Sequence, residues 1–171
     1  MKLNVTVTQT MKIITPPTKI DWYEIPSPVV FIAGSIEQDT AARWQDELIS
    51  KIPANWPGTI LNPRRAHWDA TWTQSIDNPE FREQVEWELR GIEEADLVIL
   101  NFETDTKSPI TLLELGLVAP TKHGCAVVRC PERFWRSGNV DIVCARFGIK
   151  QVDTINDLAG VITTWPQGKG L

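Results

Sequence analysis

Val29-Val30-Phe31-Ile32-Ala33-Gly34 is an unbroken apolar run of strand length, closed by a glycine. Two more such runs follow, Leu97-Val98-Ile99-Leu100 within 95–102 and Cys125-Ala126-Val127-Val128 within 124–129. A shorter one, Thr59-Ile60-Leu61, ends at Asn62-Pro63, and a weak strand falls at Lys150–Val152. Helical spacing fills the gaps. Ala41, Trp44, Leu48 and Ile52 form one stripe over 40–52, and a helix opens at Asn78-Pro79 and runs to about Glu94. Another opens at Ser108-Pro109 and reaches about Val118, a short one covers Val140–Arg146, and a last one starts at Thr154. Both Asn78-Pro79 and Ser108-Pro109 pair a capping residue with a proline at the first helical position. Strands that are apolar throughout, alternating with helices, imply a parallel sheet covered on both faces. Such a sheet binds ligands beyond the carboxyl ends of its strands, which directs attention to the loops after Gly34, Asn62, Asn101 and Arg129.

Outside this core the sequence is less regular. Residues 1–28 are rich in Thr and hold Pro16, Pro17, Pro26 and Pro28, as expected of an extended arm or edge strand laid on a single domain at 29–171. Residues 63–78 lack a period and read as a long loop. With 171 residues, 42% hydrophobic and 23% charged, the chain fits one packed domain. A net charge of −5 argues against a nucleic-acid polymer as partner, which would demand a basic field. No apolar run approaches the roughly 20 residues that span a bilayer. Met1-Lys2-Leu3-Asn4-Val5-Thr6-Val7-Thr8 alternates polar and apolar, unlike the core of a signal peptide. The odd number of cysteines (Cys125, Cys130, Cys144) reads as reduced, buried thiols in a cytoplasmic protein. Two histidines and no Cys-x-x-Cys pair leave no basis for a metal site, and no cofactor is expected.

Two glutamates sit where charge is costly. Glu114 is the sole charge in Ile110-Thr111-Leu112-Leu113-Glu114-Leu115-Gly116-Leu117-Val118. Glu88 interrupts the apolar stripe of Phe81, Val85 and Ile92, while Glu86 and Arg90 can pair on the wet side of that helix. An unpaired carboxylate in apolar surroundings costs several kcal/mol to ionise. Each glutamate can be an ordinary structural acid, partly exposed or paired with Arg64, Arg65 or Arg82. Together they also suit glycosidic chemistry, in which one carboxylate attacks an anomeric carbon and the other manages the leaving group's proton.

Other residues carry two readings each. Arg64 and Arg65 can hold a phosphate by bidentate contact or form salt bridges to Glu88 or Asp69. Ser35 can present a hydroxyl and an N–H to a sugar or phosphate, or cap the following helix. Asp69 can line the cleft or be solvated, and His67 can be a catalyst or a surface loop residue. His123 reads as a helix end. The eight tryptophans belong in the core or at a subunit interface, with room for one to stack on a base.

From Val29 to Val152 the chain resembles nucleoside 2-deoxyribosyltransferases and related nucleotide N-glycosidases. The most specific stretch is Ser108-Pro-Ile-Thr-Leu-Leu-Glu114-Leu-Gly116, similar to that family's nucleophile motif, in which Gly follows Glu by two residues. The resemblance implies that Glu114 is the nucleophile and that Glu88, in Trp87-Glu88-Leu89-Arg90-Gly91, occupies the place of an Asp that helps protonate the base. It makes Phe31-Ile32-Ala33-Gly34-Ser35 the opening strand and sugar-side loop. It also assigns the loop Leu61-Asn62-Pro63-Arg64 to the base, with His67 or Trp68 as contacts. Gly138-Asn139-Val140 resembles a segment whose Asn reaches a neighbouring subunit's site. Ser108 stands where members often have an acid, Leu112 where they often have Gly, and Phe31 replaces a hydroxylated aromatic. The expectation is therefore a Rossmann-like, flavodoxin-type α/β domain of about five strands, at least a dimer, with a site shared between subunits. Its small-molecule partner would be a nucleoside or nucleotide. Base transfer, hydrolysis of a monophosphate, and nucleotide sensing without turnover all remain open at this stage.

Overall fold

The computed structural model describes residues 10–37, 41–66, 69 and 71–166. Six strands form one parallel sheet: β1 (Lys12–Ile14), β2 (Val29–Gly34), β3 (Thr59–Leu61), β4 (Leu97–Asn101), β5 (Ala126–Arg129) and β6 (Lys150–Val152). Their spatial order is β1-β3-β2-β4-β5-β6. Leaving β1 aside, this is the flavodoxin-like order, which reverses direction between β2 and β4 and opens a crevice at their carboxyl ends. The sixth strand, beyond the five expected, comes from the N-terminal segment, where Lys12–Ile14 pairs with Thr59–Leu61 at the sheet edge.

Strand residues alternate between two apolar layers, because successive side chains leave a strand on opposite faces. Val30, Ile32, Leu97 and Ile99 pack with Trp44 and Leu48 of α1 (Trp44–Ser50) and Leu158 and Ile162 of α5 (Ile155–Thr164). On the other face Phe31, Ala33, Val98 and Leu100 meet three helices, α2 (Pro79–Glu94), α3 (Pro109–Lys122) and α4 (Ser137–Phe147), through Ile92, Leu115, Val118 and Val140. Both faces are covered, which is why the central strands carry no polar alternation.

Local signals set most boundaries. Asn78 caps α2 by accepting from Phe81 N at 3.0 Å, with Pro79 at the first position. Thr154 and Asp157 form a reciprocal capping box on α5. At the start of α3 the cap expectation fails: Ser108 adopts φ 46°, its side chain caps nothing, and its hydroxyl joins Ser35 and Thr106 instead. The helix also continues through Pro120 to Lys122 rather than stopping near Val118. Helix α1 is shorter than its stripe, yet Ala41, Trp44, Leu48 and Ile52 are all buried as the spacing required. Cys125 lies in a 3-10 turn ahead of β5, and both Cys125 and Cys130 are half-buried; Cys144 alone is fully buried. On the wet face of α2 Arg90 pairs with Glu94 at 2.6 Å, while Glu86 faces Arg82 at 3.7 Å, so the Glu86–Arg90 pair is replaced by two neighbours of the same spacing.

Helix α2 approaches β2 closely because residue 91 is Gly. A Cβ there would meet Phe31 Cδ2 at 2.6 Å and Cε2 at 2.7 Å. Alanine is ordinarily the better helix residue by about 1 kcal/mol. Gly91→Ala should nevertheless destabilise the protein by about 1–3 kcal/mol through overpacking. Urea unfolding at neutral pH checks this, and a stabilised variant would contradict it.

Candidate active site

Gly34 ends β2 opposite Asn101, the last residue of β4. A Cβ on Gly34 would stand 2.5 Å from both Asn101 O and Trp44 Cζ2, so only glycine permits this crossing of backbone and indole. Ser35 N then donates to Asn101 O at 3.0 Å, turning the chain over the strand ends. Here, between α2 and α3, lies a cavity of ≈390 Å³. That volume suits a small organic ligand. Its walls are largely apolar, from Phe81, Val85, Leu89 and Ile92 on α2 and Ile110, Leu113 and Leu117 on α3.

Both singled-out glutamates line this cavity. Glu114 is 7% exposed, and burial, with the charge of Glu88 second, pushes its carboxyl well above the usual carboxylate range. Burial pushes Glu88 up to about 7, against the opposing pull of a hydrogen bond from Gln84 and the charge of Arg65. The two acids therefore interact, and two carboxylates in one low-dielectric space retain a proton between them near neutrality. Among the described residues no cysteine lines the cavity, and burial holds the thiols of Cys130 up at about 12 and Cys144 at about 11.

The remaining expected site residues separate into three groups. Gly34 and Ser108 line the cavity beside the acids. Ser35 lies just behind, fully buried, its hydroxyl sharing hydrogen bonds with Ser108 and Thr106 and accepting from Glu103 N at 3.0 Å. It organises the loop, and the cap position of α1 falls to Arg43. Phe31 is buried beneath α2 against Trp87, ring centroids 6.2 Å apart, and is not part of the cavity wall.

Arg64 points elsewhere. Its guanidinium donates to Ala42 O at 2.9 Å, Ala41 O at 2.8 Å and Gln45 Oε1 at 3.1 Å, tying the loop after β3 to the start of α1. Arg65 also lies outside the cavity wall; it donates to Gln84 and sits over Trp72 at 5.0 Å. Asp69 is exposed and accepts from Thr71. Asn139 is exposed on the first turn of α4 and does not line the cavity. His67 and Trp68 lie outside the described residues.

Two wall residues carry functional meaning that the sequence reading did not extract. Glu37 follows β2 with φ 48° and lines the cavity. One of its oxygens accepts from Lys107 N at 2.7 Å and Ser108 N at 2.5 Å, fixing the entry to α3. Nothing in its loop sequence marks it. Gln84 is buried and donates to Glu88 Oε1 at 2.6 Å and Pro63 O at 3.0 Å. Its signal was available, since it stands four residues before Glu88 on the same helix face.

Similarities to known proteins fit this geometry. The sequence profile of the family described as "Nucleoside 2-deoxyribosyltransferase like" matches residues 27–134, a span that includes the cavity and both acids. No curated protein matches the chain in sequence. The crystal structure of a conserved protein from Enterococcus faecalis V583 aligns with a TM-score of 0.51 at 12% identity, over 78% of this chain and 96% of that one. At that identity the likeness concerns the fold alone.

Burial of Glu88 predicts a pH-dependent stability. Its folded pKa of about 7 lies above the 4.5 of the unfolded chain, so the folded protein holds the proton more tightly. That contribution is complete below pH 4.5 and is lost as pH rises through 7. Glu88→Gln removes the ionisation and should be more stable than the parent at pH 8, by up to about 3 kcal/mol. The difference should close toward pH 4.5, which denaturation across that range measures.

Proposed function

Because the chain belongs to the nucleoside 2-deoxyribosyltransferase-like family, we propose that it cleaves the N-glycosidic bond of a neutral 2-deoxynucleoside and transfers the sugar to another base. The observation that supports this reading most is the pair of carboxyl groups, Glu114 and Glu88, lining one cavity with interacting ionisations. In the proposed reaction ionised Glu114 attacks C1′ of the sugar. The bond from C1′ to the base nitrogen breaks, its electron pair goes to the base, and Glu88 gives the base a proton. The products of this half are a glycosyl ester on Glu114, a carboxylate at Glu88 and a free neutral base. An incoming base then attacks C1′, loses its proton to Glu88, and frees Glu114. Attack by water in its place yields hydrolysis. A proton shared by the two acids is what this cycle requires: the free cavity favours that proton on Glu114, and the reactive form is the one in which it sits on Glu88 and leaves Glu114 ionised.

Charge argues for a nucleoside over a monophosphate. Among the described residues lining the cavity none is Lys, Arg or His, whereas Glu37, Glu88 and Glu114 are all acidic. A phosphate dianion inside would meet like charges and, among the described wall residues, no counter-charge. Arg64, the first candidate for such a partner, is committed to carbonyl groups on the far side of its loop.

The proposal extends to assembly and place. Ile110, Leu113 and Leu117 line the cavity yet are 58%, 60% and 43% exposed, an apolar edge suited to cover by a second subunit. Asn139, exposed on α4, is then available to a neighbour's site, in a dimer or larger assembly working in the cytosol. Among the described residues no helix is long and apolar enough to cross a membrane.

Incubation with a 2-deoxynucleoside and a different free base should give the exchanged nucleoside. Glu114→Gln should reduce the rate on the order of 10³-fold or more. Release of sugar phosphate from monophosphates, without base exchange, would replace this reading with nucleotide hydrolysis. Tight ligand binding without product, unchanged in Glu114→Ala, would replace it with a sensor.

A further inference from the structure

We propose that Gln84, held in one orientation by Arg65, is a positioning residue that leaves a single oxygen of Glu88 free to carry the transferable proton. The inference rests on the assignment of Glu88 as the acid. An amide side chain is nearly symmetric in shape, so its neighbours decide which end faces where. Two neighbours decide here. Pro63 O can only accept, and lies 3.0 Å from Gln84 Nε2. Arg65 Nε can only donate, and does so to Gln84 Oε1. Turning the amide over would set oxygen against oxygen at Pro63 and N–H against N–H at Arg65. The second hydrogen on Nε2 is thereby directed at Glu88 Oε1, 2.6 Å away. In a protonated carboxyl the carbonyl oxygen is the better acceptor, so this hydrogen bond favours Oε1 as the carbonyl and Oε2 as the carrier of the acidic proton.

The arrangement also grades the charge felt by Glu88. A guanidinium paired directly with this carboxylate would keep it ionised at neutral pH, and burial without a donor would keep it protonated. Interposing a neutral amide gives an intermediate result, consistent with the pKa of about 7. Arg65 itself is steadied by Trp72 at 5.0 Å and by Glu83 at 3.9 Å. Among the described residues, the charged or titratable groups facing Glu88 are Arg65 from the loop after β3, Glu114 from α3 and, across the cavity, Glu37 from the loop after β2.

The test uses the full-length protein labelled with ¹³C in the glutamate side-chain carboxyl groups, titrated by NMR without substrate. The Glu88 resonance is identified by its loss in Glu88→Gln. Gln84→Met removes the donor, and Arg65→Gln removes both the lock and the charge. Each should move the Glu88 midpoint up by about one pH unit. The alkaline limb of kcat/KM for base exchange should shift upward with it, since that limb reports the loss of the proton from Glu88. A midpoint that stays in place in both variants overturns the proposal. A midpoint that moves in a protein incapable of base exchange upholds the role of Gln84 and overturns the assigned reaction.

Discussion

Two carboxyl groups buried at one largely apolar cavity constrain everything around them. Burial keeps either from ionising as it would in water, and the charge of Glu88 makes ionisation of Glu114 harder still. Folding accepts this cost only because the surrounding helices are held firmly. Helix α3 presents Glu114 while burying Leu115 and Val118 on the sheet, and α2 presents Glu88 while Gly91 lets it settle onto Phe31. The cavity lies at the reversal of strand order, where α2 and α3 diverge over the ends of β2 and β4. Architecture and electrostatics are thus one problem, with rigid packing keeping two mutually repelling groups close.

The surroundings of the pair are graded in distance from the cavity. Glu37 and Ser108 form its polar wall at the start of α3, and the hydroxyl cluster of Ser35, Thr106 and Ser108 braces that turn from behind. Arg129 holds the neighbouring strand ends together through Asn101 Oδ1 at 2.8 Å and Glu103 Oε1 at 3.1 Å. Among the described residues, Arg64 and Arg129 bond carbonyl, amide and carboxylate groups outside the cavity wall, and Arg65 reaches the wall through the neutral amide of Gln84. Under the proposed function, that distribution of charge favours an uncharged sugar–base substrate.

Much of this was legible in the sequence. Uninterrupted apolar strands such as Val29–Ala33 and Leu97–Leu100 announce a sheet buried on both faces, and Glu114 and Glu88 stood out because their neighbours are apolar. The Ser108-Pro109 dipeptide showed where α3 begins, but not that its serine would adopt a left-handed conformation and turn its hydroxyl to Ser35. Cap preferences are local, whereas that contact spans 73 residues. Arg64 and Arg65 are adjacent and chemically identical, so only the path of the chain decides that one serves α1 and the other reaches Gln84. Glu37 was illegible for the same reason: an acid in a loop looks solvated until the backbone N–H groups of Lys107 and Ser108 are brought to it.

The attack by Glu114 is the step on which the functional account turns, and a covalent ester is its direct signature. The protein should be incubated with a 2-deoxynucleoside in the absence of an acceptor base, quenched in acid, and its intact mass and peptide masses measured. The account predicts a gain of one deoxyribosyl unit on the peptide containing Glu114, absent in Glu114→Gln and discharged when a second base is added before quenching. Turnover with no adduct, or an adduct on another residue, would contradict it.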